Sequence, residues 1–137
     1  MGFLIDTSLW IALERGQLAA GDIQAITGQQ PVYLSPVNLA EIRFGIELMS
    51  DIRKKKKAFT ALRRMRRKPL LRMTGETGEV FGRMAARLKK MGRPHNVRVQ
   101  DLWLASQAVQ RDFTLLTANE KDFRDIPDLK FVAIKVL

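Results

Sequence analysis

With no cysteine and a single histidine, His95, this chain must do any acid–base or metal chemistry with carboxylates. The first count excludes disulfides, thiol catalysis and cysteine-ligated zinc, and the second excludes a histidine-rich metal centre. Among the 14 Asp and Glu, Asp6 stands out first. The apolar run Phe3-Leu4-Ile5 stops abruptly at Asp6-Thr7-Ser8, and an apolar helical stretch follows. Taken alone, Asp6 or Ser8 reads equally well as a helix cap. Glu41 lies in an apolar helical pattern beside Leu39 and Ile42, Asp101 opens a later one, and Asp122 follows an apolar run with Thr117 and Asn119 between. Each has an ordinary alternative: Glu41 pairing with Arg43 or Arg15, Asp101 as an N-cap, Asp122 as a surface partner of Lys121 or Arg124. Chemistry requires that the fold bring them to one place.

The elements that could do so alternate along the chain. Short apolar runs at 3–5, 32–34, 70–73, 114–116 and 130–136 read as strands, the kind buried on both faces of a parallel sheet. Between them, helical patterns cover 9–15 and 22–26, closed by Gly16 and Gly28. Ser35-Pro36 starts the next helix, over 37–49, with a capping hydroxyl and a proline at the first helical position. Further helices follow at 51–68, from Thr74 or Thr77 to Gly92, and at 100–110; residues 92–98, with Pro94 and His95, read as a loop, and 118–123 as a loop or single helical turn. Alternating strands and helices argue for one α/β domain over 1–137, with a central parallel sheet of about five strands and helices on both sides.

In such a sheet each helix after a strand starts at the carboxyl edge, where ligands bind. Asp6 follows the first strand directly. Glu41 lies about five residues into the helix after the second, roughly 7–8 Å down at the helical rise, within reach of its long side chain. Asp101 starts the helix leading to the 114–116 strand, and Thr117, Asn119 and Asp122 follow that strand. Carboxylates gathered without a cation repel one another unless hard, oxygen-liganded Mg²⁺ or Mn²⁺ binds among them.

The charge is as uneven as the acids are spread. Of 24 Lys and Arg, eleven fall between residues 53 and 72 with no acid among them, leaving 13 bases against 14 acids elsewhere. Lys54, Lys55, Lys56, Lys57, Arg63, Arg64, Arg66 and Arg67 are the candidate nucleic-acid contacts, through phosphate binding and counterion release. The plain alternative is a solvated helix face that keeps the protein in solution. No apolar run approaches the roughly 20 residues needed to cross a bilayer. The opening stretch, without a basic region and broken by Asp6, does not read as a signal peptide. A cytoplasmic location without membrane contact is therefore expected.

These segments, in this order, resemble a PIN-domain ribonuclease of the VapC/FitB type, the toxin of a type II toxin–antitoxin pair. Phe3-Leu4-Ile5-Asp6-Thr7-Ser8 is similar to the family's opening strand and first acid. The segment from Leu34 to Gly45 (LSPVNLAEIRFG) is similar to its second motif, with Glu41 the second acid. The segment from Gln100 to Ala108 (QDLWLASQA) is similar to its third, with Asp101 the third acid; that from Leu115 to Phe123 (LLTANEKDF) is similar to its closing motif. The family places its fourth acid either where Asn119 stands here or three residues later, at Asp122, and both stay open. The resemblance implies a PIN-like three-layer fold and Mg²⁺- or Mn²⁺-dependent hydrolysis of RNA phosphodiesters. Asp6 and Asp101 would hold the metal, Glu41 with Asp122 or Asn119 would complete the shell or orient water, and Thr7, Ser8 and Thr117 would support with hydrogen bonds. It further implies a homodimer and a larger assembly with a VapB/FitA-type antitoxin that inserts a basic residue among the acids, with Trp10, Leu13, Leu39 and Phe44 as candidates for the apolar groove beside them. Trp103 is a candidate for that groove or for a homodimer contact. Three other readings compete: a PIN nuclease of ordinary RNA processing, a noncatalytic nucleic-acid binder relying on residues 53–72, and a small-molecule phosphatase. The last lacks both a second Asp two residues after Asp6 and a glycine-rich phosphate loop.

Overall fold

The computed structural model describes residues 1–93 and 98–136; the predicted loop around Pro94 and His95 lies outside the described residues. Four parallel strands form the sheet, in the order β2-β1-β3-β4: β1 Phe3–Ile5, β2 Val32–Tyr33, β3 Thr114–Thr117 and β4 Lys130–Ala133. The register aligns Phe3 with both Val32 and Thr114, and Thr114 with Lys130. The expected strand at 70–73 does not form, so the sheet has four strands rather than about five. A single parallel bridge joins Leu34 to Leu70. Pro69 there has no N–H to donate, and the chain turns into a helix at Thr74 before a ladder can extend.

Side-chain alternation along the strands builds the two sides of the sheet. Leu4 and Leu115 face one core, shared with Val80, Met84, Leu88, Leu102 and Phe123. Their neighbours Ile5 and Leu116 face the other, with Leu9, Trp10, Ile23, Leu34 and Met65. Helices α5 (Gly75–Lys90) and α6 (Val99–Arg111) thus cover one face, while α1 (Thr7–Glu14), α2 (Ala20–Thr27) and the inner stripe of α4 (Ile52–Met65) cover the other. Helix α3 (Pro36–Glu47) starts as its sequence predicts: Ser35 Oγ accepts from Val37 N at 3.0 Å, with Pro36 inside the first turn. The short α7 (Glu120–Phe123) follows β3. Among the described residues, no helix is long and apolar enough to cross a membrane.

The strand order has a functional consequence. From β1 the chain crosses to β2 on one side; from β3 it crosses to β4 on the other. The carboxyl ends of β1 and β3 therefore flank the point where the winding reverses, the place where open α/β sheets leave a crevice for ligands. Asp6 directly follows β1 and Thr117 ends β3.

Candidate active site

Asp6 has two jobs. It is the N-cap of α1, with its Oδ1 accepting from Thr7 N at 2.8 Å, which is the ordinary role open to it in the sequence. Its Oδ2 accepts from Ser8 Oγ at 3.0 Å and, across the winding reversal, from Thr117 Oγ1 at 2.8 Å. Thr117 Oγ1 is itself oriented by Asn119 N at 2.9 Å. Asp6 is 5% exposed. Burial raises its pKa, the three hydrogen bonds oppose the rise, and the charge of Asp122 adds to it. A carboxylate accepts at about four lone pairs, so these three bonds leave one position open on Oδ1.

Glu41 is held by Thr7 rather than by an arginine: Thr7 Oγ1 donates to its Oε1 at 2.7 Å. Arg43 instead pairs with Glu47 at 2.7 Å. The Thr7 hydroxyl is oriented in turn by Asn38 Nδ2 at 3.0 Å, and Asn38 Oδ1 accepts from Ser35 N at 2.8 Å. Ser35 Oγ donates to Gln107 Oε1, and Gln107 Nε2 donates to the Leu71 carbonyl at 2.7 Å. Ser35, Asn38 and Gln107 are fully buried. This relay ties α1, α3 and α6, the helices bearing or following three of the acids, into one unit. The sequence offered a partial signal for it. Asn38 precedes Glu41 by three residues and so shares its helix face, but Gln107 gives no sign of its partner.

Asp101, in the first turn of α6, feels the whole group. Its carboxyl is pushed up to about 7, first by burial and then by the charges of Asp6, Asp122 and Glu41, with Arg98 pulling the other way. Glu41 is raised by burial and by Asp6, against the bond from Thr7. Among the described residues no cation pairs with Asp6, Glu41 or Asp101. The fold thus brings Asp6, Glu41 and Asp122 within electrostatic range of Asp101. Asn119, exposed at the start of α7, contributes its backbone N–H to Thr117.

Two residues that the sequence did not single out border the cluster. Arg98, the N-cap of α6, donates to the Asp122 carbonyl and to both carboxylate oxygens of Asp125. Burial pushes Asp125 up, but the bonds from Arg98 and Arg93 hold it below the usual range. The expectation of an acid cluster without a neighbouring base is thereby corrected: Arg98 stands beside Asp101, engaged with Asp125.

The donor set suits a hard divalent cation, since every side chain offered is a carboxylate or a hydroxyl. Among the described residues, no three acids converge closely enough to chelate one ion. Mg²⁺ keeps several waters and is commonly held by one or two carboxylates together with substrate phosphate. Asp6 has an open position on Oδ1, Glu41 accepts only at Oε1, and none of Asp6, Glu41 and Asp101 has a cationic partner among the described residues.

The cationic segment forms α4, whose Leu62 and Met65 are buried as the inner stripe predicts; Phe59 lies under the Arg43 guanidinium, 4.8 Å from its ring centre. Lys55 pairs with Glu47 at 3.6 Å and Arg64 with Glu14 at 2.7 Å. Lys54, Lys56, Lys57, Arg63, Arg66 and Arg67 are exposed, with no acidic partner among the described residues. Leu34 N bonds Pro69 O at 2.9 Å, so the chain leaving α4 lies beside the carboxyl end of β2. The expected apolar groove is only partly present. Trp10, 4% exposed, is core, and Leu13 and Leu39 pack partly buried against it, whereas Phe44 is 68% exposed. Trp103 stacks on Phe81, with ring centres 4.0 Å apart.

Known proteins resemble the chain over nearly its whole length. The PIN domain family matches residues 3–129. Ribonuclease VapC of Rickettsia bellii is 30% identical over 135 residues, covering 98% of this chain and 97% of the relative. Ribonuclease VapC1 of Rickettsia felis is 29% identical over the same shares of each chain. Two solved structures share the fold. VapBC2 from Rickettsia felis, bound to a promoter DNA fragment, superposes with a TM-score of 0.83 at 18% identity, covering 98% of this chain and 100% of its own. VapBC-1 from nontypeable Haemophilus influenzae gives 0.82 at 24% identity, covering 97% and 98%.

Proposed function

Because the chain belongs to the PIN-domain family, we propose that it is a metal-dependent endoribonuclease and the toxin of a type II toxin–antitoxin pair. The observation that carries this reading is the meeting of Asp6, Glu41, Asp101 and Asp122, from four separate segments, at the winding reversal of the sheet without a pairing cation. The relatives named VapC are ribonucleases, which supports RNA as the substrate.

Asp6 and Asp101 would hold Mg²⁺ or Mn²⁺, which when bound supplies charge stabilisation to the scissile phosphate and acidifies water. The protein's own groups have separable tasks. Ser8 and Thr117 fix the Asp6 carboxylate, so that its open position points in one direction. Thr7 occupies Glu41 Oε1, leaving Oε2 to accept a proton from the attacking water. Burial pushes the pKa of Glu41 up, which makes it a stronger base than a solvated glutamate. Asp122, or the Asn119 position, completes the surroundings. Purified protein freed of any partner should cut RNA in Mg²⁺ and stop in EDTA. Intact RNA across a varied panel, in metal, would remove the enzymatic reading and leave the noncatalytic binder.

Helix α4 would set substrate affinity. Changing Lys54, Lys56 and Lys57 to Gln should weaken RNA binding and lower the slope of log K against log salt by about 2, since each lost phosphate contact removes about 0.7 for a single strand. Turnover of bound RNA should hardly change. An unaltered slope would return the segment to a solvated face.

The partner would be a VapB/FitA-type antitoxin, with the toxin as a homodimer inside the larger assembly. This rests on solved neighbours that are VapBC and FitAB complexes, some bound to DNA. A PIN nuclease of ordinary RNA processing is the second reading. The presence or absence of a small antitoxin gene beside this one separates the two.

A further inference from the structure

We propose that Arg98 is a positioning residue that clamps the α7 turn, and with it Asp122, against the start of α6 where Asp101 lies. The observation is a two-pronged grip. Arg98 Nη2 donates to Asp125 Oδ1 and Oδ2 at 3.1 and 2.9 Å, while Nη1 donates to the main-chain carbonyl of Asp122. The Arg98 side chain is 25% exposed and that of Asp125 12%. The Arg98 side chain borders a small cleft with Leu88, Leu102 and Ile126. Arg93 Nη1 adds a second ion pair to Asp125 at 3.2 Å.

The grip matters because of what it joins. Helix α7 is four residues long, and Asn119 gives it no side-chain cap. So short a helix has little stability of its own and takes its placement from tertiary contacts. Asp122 repels Asp101 and Asp6, so the turn carrying it is pushed away from the cluster. A planar guanidinium engaging a carboxylate and a carbonyl together fixes the direction of approach; an ammonium keeps the charge without the fork. The Arg98 charge also offsets part of the repulsion felt by Asp101. The residue that starts the helix of the third acid therefore holds the turn of the fourth.

The clamp rests on the metal-site reading above, and its test separates the two. Full-length Arg98→Met, Arg98→Lys, Asp125→Asn and the Arg98→Met/Asp125→Asn double variant are stripped with EDTA and titrated with Mn²⁺ by calorimetry, alongside thermal melting and RNA cleavage against Mg²⁺ concentration. Groups that orient metal ligands typically change affinity 10–100-fold when lost. Arg98→Met should therefore weaken Mn²⁺ binding about 10-fold and raise the half-saturating Mg²⁺ similarly, with turnover largely regained at high Mg²⁺. Arg98→Lys should fall between Met and wild type. The double variant should bind Mn²⁺ about as weakly as Arg98→Met, because the pair acts as one unit. Lower melting temperatures with Mn²⁺ affinity unchanged in all four variants would overturn the clamp. Wild-type protein that binds Mn²⁺ but cuts no RNA would overturn the nuclease instead, and the clamp would stand or fall on the calorimetry.

Discussion

Replacing Asp101 by Asn is expected to lower RNA cleavage by at least about 10³-fold and, in EDTA at pH 8, to raise the melting temperature. The loss of activity corresponds to removing several kcal/mol of charge stabilisation from the reaction. The gain in stability follows from linkage. The Asp101 carboxyl is pushed up to about 7 in the folded chain from its ordinary 3.8, so between those values the folded state holds a proton that the unfolded state has released. Stability of the metal-free protein therefore falls as pH rises from about 4 to about 7 and stays low above. Asp6 and Glu41, also raised, push in the same direction. Asn at position 101 removes its share, and each kcal/mol of relieved repulsion should add roughly 4 °C. Melting curves in EDTA at pH 5 and pH 8 read this directly: the wild type should lose more stability between them than the variant. A variant that melts well below wild type at pH 8 would make Asp101 a structural residue, and undiminished cleavage would take it out of the reaction. Asp6→Asn is the less informative change. Its carboxylate accepts from Thr7 N, Ser8 and Thr117, and an amide would turn an N–H₂ toward one of those donors.

The second large effect concerns inhibition. Three acids raised by burial and neighbouring charge, without a pairing cation among the described residues, would form a socket for a guanidinium, whose planar fork can satisfy two carboxylates and exclude Mg²⁺. Changing to Ala the Arg or Lys that a VapB/FitA-type antitoxin would insert there should raise the concentration needed for half-inhibition on the order of 10²-fold, since losing one partner of a buried charge pair costs about 2–5 kcal/mol. Binding should persist through apolar contacts. Phe44, with Leu48 and Ile52 exposed beyond it, offers that footing, and Trp10 does not. Cleavage assays alongside binding measurements distinguish the outcomes; full inhibition by the Ala variant at wild-type concentration would refute the socket.

The sequence alone determined the alternation of strands and helices, and with it the parallel sheet and the carboxyl edge on which Asp6, Glu41, Asp101 and Asp122 lie. These are consequences of local signals: apolar runs, the Ser35-Pro36 start, and helical periodicity. The inner stripe of α4 and the exposure of its cations were equally legible, because amphipathic spacing is a local property. The tertiary structure decided the rest. Whether Leu70 begins a strand depended on whether its neighbours could pair, and Pro69 cannot donate. Whether Trp10 lines a groove depended on which side of the sheet α1 covers. The strand order, which places the end of β1 beside the end of β3 and lets Thr117 bond Asp6 over 111 residues, is a matter of long-range pairing. The buried relay from Gln107 through Ser35 and Asn38 to Thr7, and the grip of Arg98 on Asp125, are likewise invisible in sequence. Hydrogen-bond partners far apart in the chain share no spacing rule, and they are chosen by which side chains remain unsatisfied once the layers have packed.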